Sequence, residues 1–242
     1  MRRLHAVLPN DIDDPAAPSG GNTYDRRVLD GLARLGWAVT EHAVRGGWPR
    51  PSPAERTALA GVLGALPAGA LVLADGLVAS AAPDALVPAA ARLRLVVLVH
   101  MPLGDPGEGD VLAAARAVVA TSSWTRDLLR DRYGVAAGVA TPGVDQAPAA
   151  GGTLAGTRLL CVAAVTPDKG HDVLLAALAA VPLPLGCVCA GALDRDPAFV
   201  AGLPRDDRVR FAGPLTGAGL AAAYAAADLV VLPSRAETYG MV

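Results

Sequence analysis

Arg158–Val181 reads RLLCVAAVTPDKGHDVLLAALAAV. The stretch Arg158–Val165 is a nearly continuous apolar run, as in a strand buried on both faces. Thr166–Gly170 then supplies Pro, Gly and two charges, and His171–Val181 is a helix candidate. The same strand–turn–helix alternation runs along the chain. Strand candidates are Leu4–Leu8, Ala38–Ala43, Ala70–Ala74, Leu93–His100, Ala117–Thr121, Leu185–Ala190, Val209–Phe211 and Leu229–Leu232. Helix candidates are Asn22–Leu35, Ala54–Leu66, Pro83–Ala91, Ser123–Tyr133 and Leu220–Ala227. Alternating β and α elements of this length predict parallel sheets with helices on both sides.

Thr141–Gly156, TPGVDQAPAAGGTLAG, is rich in Gly, Ala and Pro and carries one charge, which suits an inter-domain linker. The expected organisation is a first α/β domain over residues 1–143, a linker over 144–156 and a second domain over 157–242.

Composition narrows the function classes. The chain is 52% hydrophobic and 18% charged, which excludes a disordered chain. Its formal net charge of −2 supplies no global basic field for nucleic acid, so no nucleic-acid partner is expected. The chain has 21 basic residues, and Lys169 is the only lysine among them. Glutamate occurs only at positions 41, 55, 108 and 237. No secretory signal is visible, because His5, Pro9, Asp11, Asp13 and Asp14 follow Arg2 and Arg3 too soon. The uncharged stretch Val173–Leu193 is long enough to span a bilayer, but Pro182, Pro184 and Gly186 break it into a helix, a turn and a strand. Cys161, Cys187 and Cys189 form no disulfide framework and no metal-ligand spacing, and read as small buried strand residues.

Site candidates sit where strands end. Open α/β sheets bind ligands at the carboxyl ends of their strands. Pro18-Ser19-Gly20-Gly21-Asn22 lies between the first strand and the first helix. Its paired glycines allow close backbone approach, and the helix start offers N–H groups to an anion. Val165–His171 puts the only lysine beside a helix start, where a compact ammonium suits a diphosphate. Leu232–Gly240, LPSRAETYG, places Glu237 after another strand, where a carboxylate can accept sugar hydroxyls, and Gly240 permits close approach. His100 follows the run LRLVVLV.

In this order these motifs resemble the family-4 retaining glycosyltransferases with the GT-B fold. The resemblance is carried by PSGGNTYDRRVLDGLARLGWAV, by CVAAVTPDKGHDVLLAAL and most specifically by the stretch Arg210–Val242, with FAGPL and YAAADLVVLPSRAETYGMV. It implies two Rossmann-like domains facing a cleft, the first on the acceptor side and the second, incomplete here, holding the nucleotide sugar, and transfer of a sugar from a nucleotide-diphosphate donor to an acceptor that is a small molecule, a glycan or a lipid-linked species. It implies His100, Lys169 and Glu237 as the catalytic set and Gly20, Gly21, Lys169, Glu237 and Gly240 as donor-binding residues. The glycine amides and Lys169 would meet the diphosphate, His100 the donor sugar near the reacting carbon, and Glu237 the sugar hydroxyls. No cofactor and no catalytic metal are implied, and no partner protein is evident. The implied location is the cytoplasm, with peripheral association at the inner membrane face left open.

The sequence departs from the family in three places. The usual Arg five residues before the lysine is Ala164, with Arg158 and Arg235 as replacement candidates. The common Asn of the hinge is Pro142. The second glutamate of E-x7-E would fall past Val242, so the expectation is a chain cut short within its second domain. A catalytically inactive nucleotide-sugar-binding module and a GT-B-fold epimerase remain as alternatives.

Overall fold

The computed structural model describes residues 2–241, so Met1 and Val242, the last residue of the matched stretch, lie outside it. The chain divides into two compact units, one built chiefly from Ser19–Gly143 with the first strand, the other chiefly from Val144–Gly240.

In the first unit β1 (Arg2–Pro9) is followed by α1 (Gly20–Arg34), β2 (Trp37–Val44), α2 (Pro53–Ala65), β3 (Leu71–Asp75), α3 (Gly76–Ser80) and α4 (Pro83–Ala90). Then come β4 (Arg94–Val99), α5 (Pro106–Ala114), β5 (Ala117–Ala120), α6 (Ser123–Tyr133) and β6 (Gly138–Val139). Among the described residues the strands pair in parallel in the order β2-β1-β3-β4-β5-β6. The winding reverses between β1 and β3, which opens a crevice at their carboxyl ends. Alternation along β1 divides the core. Leu4, Ala6 and Leu8 pack with Leu29 of α1 on one face, while Val7 joins Val72, Val97, Leu59, Leu86 and Leu129 on the other.

In the second unit β7 (Arg158–Val162) leads through a 3-10 turn at Pro167–Lys169 to α7 (His171–Ala180), β8 (Gly186–Ala190), α8 (Pro197–Gly202), β9 (Val209–Gly213), α9 (Gly217–Ala225) and β10 (Leu229–Val230). The parallel order is β10-β7-β8-β9, and here the reversal falls between β7 and β10. Leu159, Cys161, Cys187 and Cys189 face Leu174 and Leu178 of α7, and Leu160 and Ala190 face the other way with Ala227. The uncharged stretch Val173–Leu193 is divided between α7, a turn and β8, and no helix of the described residues is long and apolar enough to cross a membrane.

The elements missing from the sequence reading are α3, α5, α8 and β6. All are short, and α5 contains Pro106, Gly107 and Gly109, which read as loop. What orders α5 is a buried charge. Glu108 is fully inaccessible and accepts from the amides of Leu103 (3.0 Å) and Gly104 (2.9 Å) and from the Tyr133 hydroxyl (2.7 Å). Burial, then this hydrogen bond and the Glu108 charge, push the Tyr133 hydroxyl up to about 12. Glu108 thereby fixes the loop that leaves His100.

Removing this acceptor strands two amides and a hydroxyl. Hydrogen bonds to charged groups are worth about 1.5–3 kcal/mol each, with partial compensation by water on removal. Glu108→Ala should therefore lower the unfolding free energy by about 3 kcal/mol, and Tyr133→Phe by about 1 kcal/mol, in urea titrations. Equal and small losses in both would contradict the anchoring role.

Candidate functional site

Each unit carries polar groups at its own reversal point. In the first unit, Ser19 caps α1, its side chain accepting from the Asn22 amide at 3.4 Å, and Asn22 donates to the Asp11 carbonyl at 3.0 Å. The sequence placed Gly20 and Gly21 in the turn before the helix; the structure places them inside the first turn of α1. Their amides therefore belong to the set that has no intrahelical acceptor. A Cβ at Gly21 would stand 3.4 Å from the His100 ring, an ordinary contact, which places this glycine beside the imidazole.

His100 follows β4. Its Nε2 lies 2.7 Å from Asp25 Oδ1 and 3.5 Å from Asp75 Oδ2. Tyr24 meets the ring edge-on at 5.2 Å and donates from its hydroxyl to the Ala140 carbonyl at 2.8 Å. Asp75 also caps α3, its Oδ1 accepting from the amides of Leu77 (2.7 Å) and Val78 (3.2 Å). Burial, then the charge of Asp25, raise the Asp75 carboxyl to about 7. The sequence reading named His100 and missed both acids. Asp25 sits on a helix, and Asp75 has the ordinary look of a turn residue; the β3–β4 pairing brings Asp75 beside the strand that leads to His100, and the first turns of α1 bring Asp25.

In the second unit the turn after β7 and the loop after β10 are clasped together. Lys169 Nζ is 2.6 Å from Glu237 Oε1, which also accepts from Ser234 Oγ at 2.7 Å. The Arg235 amide donates to the Asp168 carbonyl at 2.8 Å. Its guanidinium forks onto Asp172 at 2.6 and 3.0 Å and reaches the Pro167 carbonyl. That pairing holds the Asp172 carboxyl below its usual range. Lys169 and Glu237 keep about a third of their side chains in solvent (30% and 32%), so the pair can open to a ligand at small cost. Gly240 has φ +80° with open space around it; a left-handed backbone, and not crowding, requires glycine there.

The two arginine candidates separate. Arg158 opens β7 at its amino end, away from the turn, and its amide donates to Asp228 at 2.7 Å. Arg235 lies against the lysine turn but is held by Asp172. The expectation that no His/Cys set forms needs correction. Cys161, His171 and Cys189, far apart in sequence, bring their ligand atoms within 4.8 Å of one another inside the core, with Cys161 Sγ 3.8 Å from His171 Nε2. Asp25, Asp75 and His100 form a second such group. Hollows lined by Arg2, Trp37 and Arg94, and by Arg158, Leu215 and Ala223, lie toward the amino ends of the two sheets, remote from these residues.

Residues 156–242 match the family described as glycosyl transferases group 1. D-inositol 3-phosphate glycosyltransferase of Salinispora arenicola is 37% identical over 172 residues, 56% of this chain and 38% of that protein. The Salinispora tropica protein of the same name is 36% identical over 171 residues, 56% of this chain and 36% of that one. The chain thus spans less than two-fifths of the curated relatives it matches. Among solved structures, Anabaena Alr3699/HepE in complex with UDP and glucose superposes with a TM-score of 0.64 at 17% identity, over 99% of this chain and 76% of that one. The lipopolysaccharide outer core galactosyltransferase WaaB gives 0.64 at 13%, over 100% and 76%. The fold is the α/β architecture of the GT-B glycosyltransferases.

Gly170, between the turn and α7, has φ +68°, and a Cβ there would run into the Pro233 carbonyl oxygen. Gly213 has a similar φ of +71° with open space around it. Both alanine variants should show the left-handed penalty of about 1 kcal/mol. Gly170→Ala should lose a further ~1–3 kcal/mol from overpacking, read by thermal melting. Equal losses would mean that the two loops are not in close contact.

Proposed function

We propose that the chain is part of a retaining family-4 glycosyltransferase, its first domain chiefly on the acceptor side and its second on the nucleotide-sugar side, which moves a sugar from a nucleotide-diphosphate donor to a small-molecule, glycan or lipid-linked acceptor. The carrying observation is the meeting of Lys169 and Glu237, 68 residues apart, at the β7–β10 reversal. The single lysine and one of four glutamates of the chain stand at the point where an open parallel sheet holds a ligand. The family match over residues 156–242 and the UDP complexes of HepE support the reading.

In this reading the reaction separates a sugar from a diphosphate, and the protein stabilises the negative charge that develops on the leaving group. Lys169 supplies a point charge to it at the reversal of the second unit, and in the first unit the Gly20 and Gly21 amides, at the positive end of α1, offer donors to an anion. Glu237 leaves the lysine and accepts sugar hydroxyls, His100 contacts the sugar, and the backbone at Gly240 approaches the donor. The two-carboxylate machinery of a glycosidase is not required. The names of the Salinispora relatives make a phosphorylated polyol the first acceptor to try.

Calorimetric titration with UDP-glucose and with UDP tests the assignment. Lys169→Ala should weaken both ligands at least tenfold, the scale of one charge-assisted hydrogen bond of about 1.5–3 kcal/mol. Lys169→Arg should restore little, because a planar fork does not replace a point charge. Glu237→Ala should weaken UDP-glucose while leaving UDP as tight or tighter, since it frees Lys169. Unchanged affinity in Lys169→Ala, or equal losses for both ligands in Glu237→Ala, would contradict these roles.

A further inference from the structure

Asp25 and Asp75 are 2% and 4% exposed, and a buried carboxylate is costly without compensation. Two amides of α3 serve Asp75 Oδ1. Among the described residues no arginine or lysine forms an ion pair with either acid; the cationic group that reaches both is the His100 ring. Both acids meet the same ring nitrogen, Nε2, from different elements: α1 and the end of β3. The other nitrogen, Nδ1, is buried and has no hydrogen-bond partner among the described residues. The remaining neighbours bring no further charge: Tyr24 from α1 packs edge-on, and Thr121, after β5, donates to the His100 carbonyl at 3.5 Å.

We propose that Asp25 and Asp75 are positioning residues that clamp His100 by Nε2 and hold it as an imidazolium, so that the ring meets the ligand as a cation. This deepens the donor-site reading of His100 and rests on it, although the charge of the ring can be measured without it. The balance of forces agrees with the geometry. Burial pulls the imidazole down, but the hydrogen bond to Asp25 and the charges of Asp25 and Asp75 outweigh it, and the net direction is up. Two carboxylates around one imidazolium leave the cluster at −1. Proton uptake by Asp75, whose carboxyl is raised by burial and then by Asp25, brings it to zero. An imidazolium raised in this way loses its proton at a higher pH than an ordinary imidazole, so a contact made by the cation weakens on the alkaline side.

Long-range proton–nitrogen correlation spectra of the full chain, labelled at the ring nitrogens, report charge and tautomer for each histidine; the His100 signals are identified as those lost in His100→Gln. In the unsubstituted protein the two nitrogens of His100 should lose their shared charge with a midpoint above the ordinary value of about 6.5. Asp25→Asn keeps the shape of the clamp and removes its nearer charge, and should lower the midpoint by at least one pH unit; Asp75→Asn should lower it less. A His100 midpoint at or below that ordinary value in the unsubstituted protein overturns the proposal whatever the variants do. So does a midpoint unmoved in Asp25→Asn. UDP-glucose titrations from pH 6 to 9 separate this from the function itself. Affinity should fall about tenfold across the His100 midpoint, and in Asp25→Asn the fall should move to lower pH with it. A ring that titrates as stated while UDP-glucose affinity ignores it supports the clamp and overturns the donor contact assigned to His100.

Discussion

A parallel strand buried on both faces has no free side on which to display chemistry. Its backbone groups are taken by neighbouring strands and its side chains by helices, so polar function is pushed to the ends. Winding sends all strand ends in a sheet the same way, and the chain opens a crevice only where the strand order reverses. The rest of this structure depends on that constraint. It puts the start of α1, Asp75 and His100 near one reversal, between β1 and β3, and Lys169 and Glu237 at the other, between β7 and β10. The cores beneath are made of Leu, Val, Ala and Cys, and carry shape without charge apart from a few satisfied groups such as Glu108.

The charges that remain are held by one another. In the second unit Arg235 binds Asp172 while Lys169 binds Glu237, so one cation is committed to tying two loops and the other is held by a partner that can be exchanged. In the first unit two acids share one imidazole. A ligand with a diphosphate and a row of hydroxyls offers both partners of the Lys169–Glu237 pair a replacement for what they give up. On the proposed reading, that favours a nucleotide sugar over a simple anion.

The long elements were legible in the sequence because their signals are redundant. Ser123–Tyr133 has an N-cap serine before it and a glycine after it, and the structure gives the helix those bounds, with Ser122 capping and Gly134 left-handed. The β7–α7 unit was readable from its apolar run and its punctuation, and the lysine stood out because no other occurs. Several short elements were not legible. α5 hides among Pro and Gly, and its reason for folding is Glu108, whose three partners lie at 103, 104 and 133. The same holds for the site. Lys169 and Glu237 announced themselves by rarity, whereas Asp25 and Asp75 are two of many aspartates and acquire meaning only through strand pairing and the turn of α1. The cysteine–histidine cluster was invisible for the same reason, since its members come from β7, α7 and β8.

The central claim is that a nucleotide sugar is held at the carboxyl ends of the strands, where the strand order reverses. Hydrogen–deuterium exchange of the full chain with and without saturating UDP-glucose tests it most directly. The account predicts slowed exchange in peptides covering Ser19–Tyr24, Thr166–Gly170 and Ser234–Gly240. Protection confined to peptides at the amino ends of the strands, around Arg2–Arg3 with Arg94 or around Arg158 with Gly186, would contradict it.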